Sequence, residues 1–127
     1  MPKINGPGFD SNFNLLEQLM TISSNKQKVI ANNIANVNTP GYRRRELVFQ
    51  EEILRAVEEQ DMEHLGKITG KIIESDSPTF RNDGNNVDID KEMAEQAKNS
   101  IRFAYASELI GRQFRGIKSA IRGESVR

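Results

Sequence analysis

The sequence predicts a mainly α fold: a long helix near each terminus, each with a stripe suited to packing against other helices, and an irregular middle segment able to hold a short hairpin. Three observations carry this. Near the start, apolar residues recur at alternating steps of three and four, the heptad seam of a helix that packs on helices. Near the end, a second long stretch spaces its large residues at steps of seven, four, three and four. Of 127 residues, 36% are hydrophobic, 6% aromatic and 28% charged, with a mean hydropathy of −0.62. That is too lean for a thick globular core and richer than a typical disordered segment, so extended helices burying narrow stripes fit best.

Residues 1–12 read as a polar tail and 13–38 as the N-terminal helix. Asp10, Ser11 or Asn12 can accept hydrogen bonds from the orphan amides of the opening turn. The stripe then runs Phe13, Leu16, Met20, Ser23, Gln27, Ile30, Ile34, Val37. Ser23 and Gln27 make its middle polar, a poor design for a helix standing alone. Thr39 precedes a proline and is pushed toward extended geometry, while Pro40 and Gly41 suit the central positions of a type II turn. The helix therefore stops near Val37 or Asn38, with Asn38 as the candidate left-handed cap.

Residues 39–60 read as this Pro-Gly turn followed by a charged helix, "YRRRELVFQEEILRAVEEQ", with Phe49, Ile53 and Val57 four apart. Residues 61–88 are the irregular segment, and 61–82 are expected to be mobile or partner-dependent. "KITGKIIE" alternates briefly, as a short strand or hairpin does, but Gly66, Gly70 and Pro78 break it up. "RNDGNNVDIDKEM" makes a sharp joint, and Asp88 or Asp90 can cap the C-terminal helix over 89–122. That helix carries Phe103, Ile110, Phe114, Ile117 and Ile121, with small residues such as Ala104, Gly111 and Gly116 that let neighbouring backbones approach. Each interior glycine costs roughly 1 kcal/mol against alanine, which packing must offset. The whole reads as one domain.

No catalytic, cofactor-binding or metal-binding residue stands out. His64, the only histidine, reads as a solvated helix-end residue, because a general base needs oriented neighbours. "DGNNVDID" fails as a calcium loop: aligning Gly84 with the invariant EF-hand glycine puts Thr79 first, Arg81 third and Asp90 twelfth. Turn and helix cap is the better account. The carboxylates, Glu58, Glu59 and Glu92 among them, sit in helix-like stretches without paired-acid geometry. Arg43, Arg44 and Arg45 after Tyr42 could touch phosphates, but Glu46, Glu51 and Glu52 follow closely, and Lys+Arg and Asp+Glu are both 18. A basic edge facing solvent or protein fits better than nucleic-acid binding.

With no cysteine, disulfides, thiolate metal sites and cysteine nucleophiles are absent. No apolar run reaches the roughly 20 residues of a membrane span, so direct membrane insertion is not expected. The start "MPKINGPGFDSN" lacks the apolar stretch of a cleavable signal peptide.

The stretch "ANNIANVNTPGY" places four asparagines where the spacing of the apolar residues says helix, and "DGNNVDIDKEMAEQAKN" and "FRGIKSAIRG" follow downstream. Together these resemble the axial proteins of the bacterial flagellum, the rod, hook and hook-associated family, and within it the proximal rod proteins. Asn32, Asn33, Ile34, Ala35, Asn36, Asn38, Thr39, Pro40, Gly41 and Tyr42 match the family's N-terminal motif. Gly84, Asn85, Asn86, Val87, Asp88 and Asp90 match the second motif. The tail before Asp10 matches nothing in the family.

The resemblance implies a non-enzymatic building block of the basal-body rod, polymerising with copies of itself and other rod proteins into the shaft that crosses the periplasm and transmits torque. It implies terminal helices paired as a coiled-coil-like unit, and export through the flagellar type III apparatus without signal cleavage. A free-standing helical adaptor or secretion chaperone is the competing reading and would share the amphipathic helices. For the asparagines, the physical expectation is register. An amide offers both donor and acceptor, so at a tight helix junction it bonds neighbouring backbone and fixes one alignment where leucine permits many.

Overall fold

The computed structural model describes residues 9–123. Helix α1 spans Phe9–Ala35, strand β1 Arg45–Val48, helix α2 Gln50–Glu58, the single turn α3 Met62–Leu65, strand β2 Lys71–Glu74 and helix α4 Ile89–Arg122. The architecture is mainly α, and the two long helices pack on each other. They run antiparallel: Phe13 meets Phe114 edge-to-face at a centroid distance of 5.6 Å, Lys26 meets Glu95 at 3.0 Å, and Asn33 meets Glu92 at 3.2 Å.

α1 begins at Phe9, inside the expected polar tail, so Asp10, Ser11 and Asn12 lie within the helix rather than before it. In the sequence, Gly6, Pro7 and Gly8 immediately upstream have low helix propensity. The remainder of the tail, residues 1–8, lies outside the described residues.

The other end differs too. Regular α geometry ends at Ala35, and the chain winds on through tighter turns, Val37 N–H donating to Ile34 O at 3.2 Å and Thr39 N–H to Asn36 O at 3.0 Å. Asn38 is not left-handed: among the described residues the only non-glycine at positive φ is Gln60. A left-handed cap is unnecessary here because side chains from residues 81 to 85 reach the terminal carbonyls. Pro40 and Gly41 hold the centre of a turn closed by Tyr42 N–H on Thr39 O at 3.2 Å, with Gly41 at φ +74°.

The charged helix expected straight after this turn forms only from Gln50. Arg45–Val48 is instead a strand, paired antiparallel with β2 in the register Arg45↔Glu74 to Val48↔Lys71. A hairpin within "KITGKIIE" would have been local, whereas the real partner lies more than 20 residues upstream. Gly70 permits the approach: its φ is +90°, and a Cβ there would lie 2.8 Å from Leu47 Cγ. α2 ends with Gln60 left-handed and Asp61 N–H reaching back to Ala56 O at 2.9 Å, the six-to-one bond of a Schellman motif.

The apolar core lies on α1, under this middle segment. Ile22, Ala56, Leu65 and Ile68 are buried together, with Leu47, Phe49 and Ile53 packed against them. Residues 61–82, expected to be mobile or partner-dependent, thus contribute Leu65 and Ile68 to this buried cluster. α1 is a shared spine, with α4 on one side and the β1–α2–α3 segment on another.

Candidate functional site: the asparagine junction

The chemistry of this chain gathers where α1 ends, β1 begins and α4 begins. Asn33 is fully buried in the last turns of α1. Its Nδ2 donates to Arg45 O at 2.8 Å and to Glu92 Oε2 at 3.2 Å. Its Oδ1 accepts from Arg45 N–H at 3.0 Å and from the Tyr42 hydroxyl at 3.0 Å. Four bonds satisfy the amide completely. The Asn33 side chain engages Arg45 on both backbone groups, as a neighbouring strand would, and extends the β1–β2 ladder onto the helix.

Asn85, also fully buried, serves the end of α1 from the far side of the sequence. Its Nδ2 lies 2.9, 3.1 and 2.9 Å from the carbonyls of Asn36, Val37 and Thr39, its two hydrogens shared among three acceptors. Its Oδ1 accepts Val87 N–H at 2.8 Å. The Arg81 guanidinium donates to the same Val37 carbonyl. Free carbonyls at a helix end need partners, and here side chains 44 to 49 residues downstream supply them. The chain pins its own N-terminal helix with the joint that launches its C-terminal one.

Asn86 completes the framework: Nδ2 donates to Ser75 O at 3.1 Å and Ser77 O at 3.0 Å, and Oδ1 accepts Arg44 N–H. Gly41 N–H donates to Asp83 O at 2.8 Å, joining the two turns. Asp88 caps α4 by accepting from Asp90 and Lys91 N–H at 3.0 and 3.3 Å.

A buried ion pair sits at the centre. Arg44 donates through Nε to Glu92, which is fully buried, and through Nη1 to Glu46. Burial works against the Arg44 charge, but hydrogen bonds to Glu92 and Glu46 outweigh it and raise the guanidinium above its ordinary value. Burial also pushes the Tyr42 phenol up, against the pull of Arg45 and with the carboxylates Glu92 and Glu74 adding to the rise. Further along the helix pair, the hydrogen bond from Lys26 holds Glu95 below the usual carboxylate range.

The structure distributes the sequence-predicted residues unevenly. Asn33, Asn36, Tyr42, Asn85, Asn86, Val87 and Asp88 meet at the junction. Asn36 bonds locally, Nδ2 to Asn32 O at 2.8 Å and Oδ1 from Thr39 Oγ1 at 3.1 Å. Asn32, Asn38, Thr39, Pro40 and Asp90 are exposed, and Gly84 shapes the turn at φ +79°. Ile30 is buried in the helix pair; Phe13, Leu16, Met20, Ile34, Val37, Ile110 and Ile117 are half-buried; Phe103, Phe114 and Ile121 are exposed.

The polar middle of the seam is not idle. Buried Asn99 donates to Ser23 O at 2.7 Å and to Gln27 Oε1 at 3.2 Å, linking α4 to the two residues that interrupt the apolar stripe. Asn99, Ser75 and Arg81 were invisible to pattern reading, because a single polar residue announces no partner tens of residues away. Arg44 and Glu92 were visible only as one charge among many. His64 lies exposed at α3, 3.4 Å from Glu52. Among the described residues no group of three or more His, Cys, Asp or Glu side chains gathers to hold a metal, and no helix is long and apolar enough to cross a membrane.

Comparison with known proteins gives this junction its context. The family model described as "Flagella basal body rod protein" matches residues 20–43, the end of α1 and the turn after it. The flagellar basal body rod protein FlgB of Bacillus subtilis (strain 168) is 33% identical over 125 residues, covering 91% of this chain and 96% of that protein. The FlgB proteins of Aeromonas hydrophila and Salmonella typhimurium are 29% and 26% identical, each over at least 90% of this chain and 95% or more of their own length. At that identity and coverage the chain belongs to the FlgB family of flagellar basal-body rod proteins, structural subunits of the flagellar rod.

Proposed function

We propose that this subunit is a purely structural, single-domain element of the rod, with no catalytic role, and that its asparagine junction is the rigid joint through which load passes between the helix pair and the middle segment. The observation that carries this is the buried set Asn33, Arg44, Asn85, Asn86 and Glu92, which ties three distant segments together by directional bonds. Apolar side chains in a two-helix seam can slide to another register at modest cost. A hydrogen-bonded amide cannot, since each displaced bond leaves a buried polar group unpaired. A shaft transmitting torque across the periplasm needs the second kind of joint.

On this reading the subunit polymerises with copies of itself and with other rod proteins, and reaches the growing structure through the flagellar type III apparatus without a cleaved signal. The exposed stripe residues Phe103 and Ile121, and the part of Phe114 not packed on Phe13, are then reserved for neighbours. Intramolecular burial is thin along the half of the helix pair far from the junction, and ordering each residue's backbone costs about 1–2 kcal/mol. Neighbouring subunits complete the packing there.

The test is complementation of a strain lacking this chain with Asn33→Leu and Asn33→Gln variants, followed by swimming assays and electron microscopy of isolated basal bodies. The joint predicts rods that are missing or fragile with either variant. Normal rods and full motility with Asn33→Leu would overturn it.

A further inference from the structure

The chain's zero net charge conceals a division. The α2–α3 stretch, residues 50–65, holds Glu51, Glu52, Glu58, Glu59, Asp61 and Glu63 against one arginine, Arg55. The C-terminal part of α4, residues 98–122, holds Lys98, Arg102, Arg112, Arg115, Lys118 and Arg122 against one carboxylate, Glu108. Each region also shows apolar side chains that neither the core nor the α1–α4 seam uses. On α2, Leu54 and Val57 are 61% and 53% exposed, one turn apart and flanked by Glu51 and Glu58. On α4, Ile101 and Tyr105 are 70% and 66% exposed, one turn apart and flanked by Lys98 and Arg102. Residues three and four apart share a helix face, so each pair is a short apolar strip: the α2 strip is bordered by carboxylates, and the α4 strip by Lys98 and Arg102, with Glu108 one turn beyond Tyr105 held by Arg112 and Arg115.

We infer that these two surfaces are complementary halves of one contact between copies of this chain: the Leu54–Val57 strip of one subunit seats on the Ile101–Tyr105 strip of the next. Opposite rims attract and orient the two subunits, while the like-charged alternatives, acidic strip on acidic or basic on basic, repel. Because the two patches differ, the contact is heterologous. Repeating it does not close a dimer but adds subunits in one direction, as a rod requires. The inference rests on the rod-subunit reading and specifies which face meets which.

The absence of cysteine permits a clean test. Val57→Cys and Tyr105→Cys chains are co-expressed in a strain lacking the natural copy, basal bodies are isolated and oxidised, and products are resolved without reductant. With one cysteine per chain, any cross-link joins two subunits. A product near twice the 14.4 kDa chain mass is expected from the mixture, and none from either variant alone. Both variants present in basal bodies without that product would overturn the contact and leave the rod reading intact. A cross-link to a protein of another mass would assign the face to a different rod component and overturn the second-copy assignment. Absence of the unaltered chain from basal bodies would instead overturn the rod reading. Should the cysteine chains fail to incorporate, charge exchange decides. Glu51 and Arg102 border one cleft of the same chain and are left unchanged; Glu58→Lys should lower swimming at least tenfold, and adding Lys98→Glu should restore it, and no restoration would overturn the contact.

Discussion

Asn33 hydrogen-bonds both backbone groups of Arg45, giving its amide hydrogen to the carbonyl at 2.8 Å and taking the N–H at 3.0 Å. A side chain on a helix thereby stands in for a strand, and the two kinds of secondary structure are fixed to each other without an apolar interface between them.

Removing that amide leaves several part-buried groups without it at once. Asn33→Ala leaves Arg45 N–H and C=O and the Tyr42 hydroxyl short of partners, and each such group costs about 1–3 kcal/mol. Asn33→Asp replaces the donor facing Glu92 with a second carboxylate oxygen. Urea unfolding should show both variants destabilised by roughly 3 kcal/mol or more, with Asn33→Asp the worse of the two at neutral pH. Equal stability of Asn33→Asp and the unaltered chain would mean the Glu92 contact is not made.

The Arg44–Glu92 pair should be strongly non-additive. Glu92→Leu alone leaves the Arg44 charge buried with only Glu46 to answer it, at an expected cost of about 3–5 kcal/mol. The double change Arg44→Met with Glu92→Leu should recover much of that, since well-packed apolar replacements for a buried ion pair are often nearly neutral. A double-mutant cycle measures the coupling; simple additivity would show the two charges to be energetically independent.

Two glycines separate backbone cost from steric cost. At Gly41 a Cβ meets nothing within 4 Å, so Gly41→Val loses only left-handed backbone freedom, about 1–2 kcal/mol, and Gly41→Asn loses less. At Gly70 a Cβ would also lie 2.8 Å from Leu47 Cγ, so Gly70→Ala should cost more than Gly41→Ala and should disturb β1–β2. Thermal unfolding of the variants gives the order directly. If Gly41→Val assembled and unfolded like the unaltered chain, the turn assignment would be wrong.

Stability should fall at both ends of the pH range, for opposite reasons. The Tyr42 phenol is raised above 10.0 in the folded chain, so its contribution is complete below pH 10.0 and disappears as pH rises through the higher folded value. Glu95 is lowered below 4.5, so its contribution is complete above pH 4.5 and is lost as pH falls through the lower folded value. Ultraviolet titration of a Tyr105→Phe variant isolates Tyr42, and its midpoint should lie above 10.0. Urea midpoints across acid pH should lose part of their slope in Glu95→Gln.

Much of this was legible before the structure. The stepped spacing from Phe13 to Val37 and from Phe103 to Ile121 marked both long helices, and the Pro40-Gly41 dipeptide marked the turn, because these signals are local. Strand β1 was missed because Phe49, Ile53 and Val57 imposed a helical period that begins only at Gln50, and because its partner β2 lies far along the chain. Asn38 was misassigned as a left-handed cap because the capping groups, Asn85 and Arg81, arrive from more than 40 residues away. The asparagines were recognisable as costly and hence purposeful; their bonding partners were not, since Arg45, Glu92 and Ser75 carry no mark of the pairing.

On the proposed reading the junction is built into the folded subunit, while the far half of the helix pair is completed by neighbours. Amide hydrogen exchange, resolved by segment and measured first in dilute subunit and then in the assembled rod, tests it most directly. Amides of residues 26–36 and 89–99 should be protected in both states, whereas those of 13–21 and 108–122 should gain strong protection only on assembly. Strong and equal protection of all four segments in the dilute subunit would contradict coupled folding and would favour a stable free-standing helical protein.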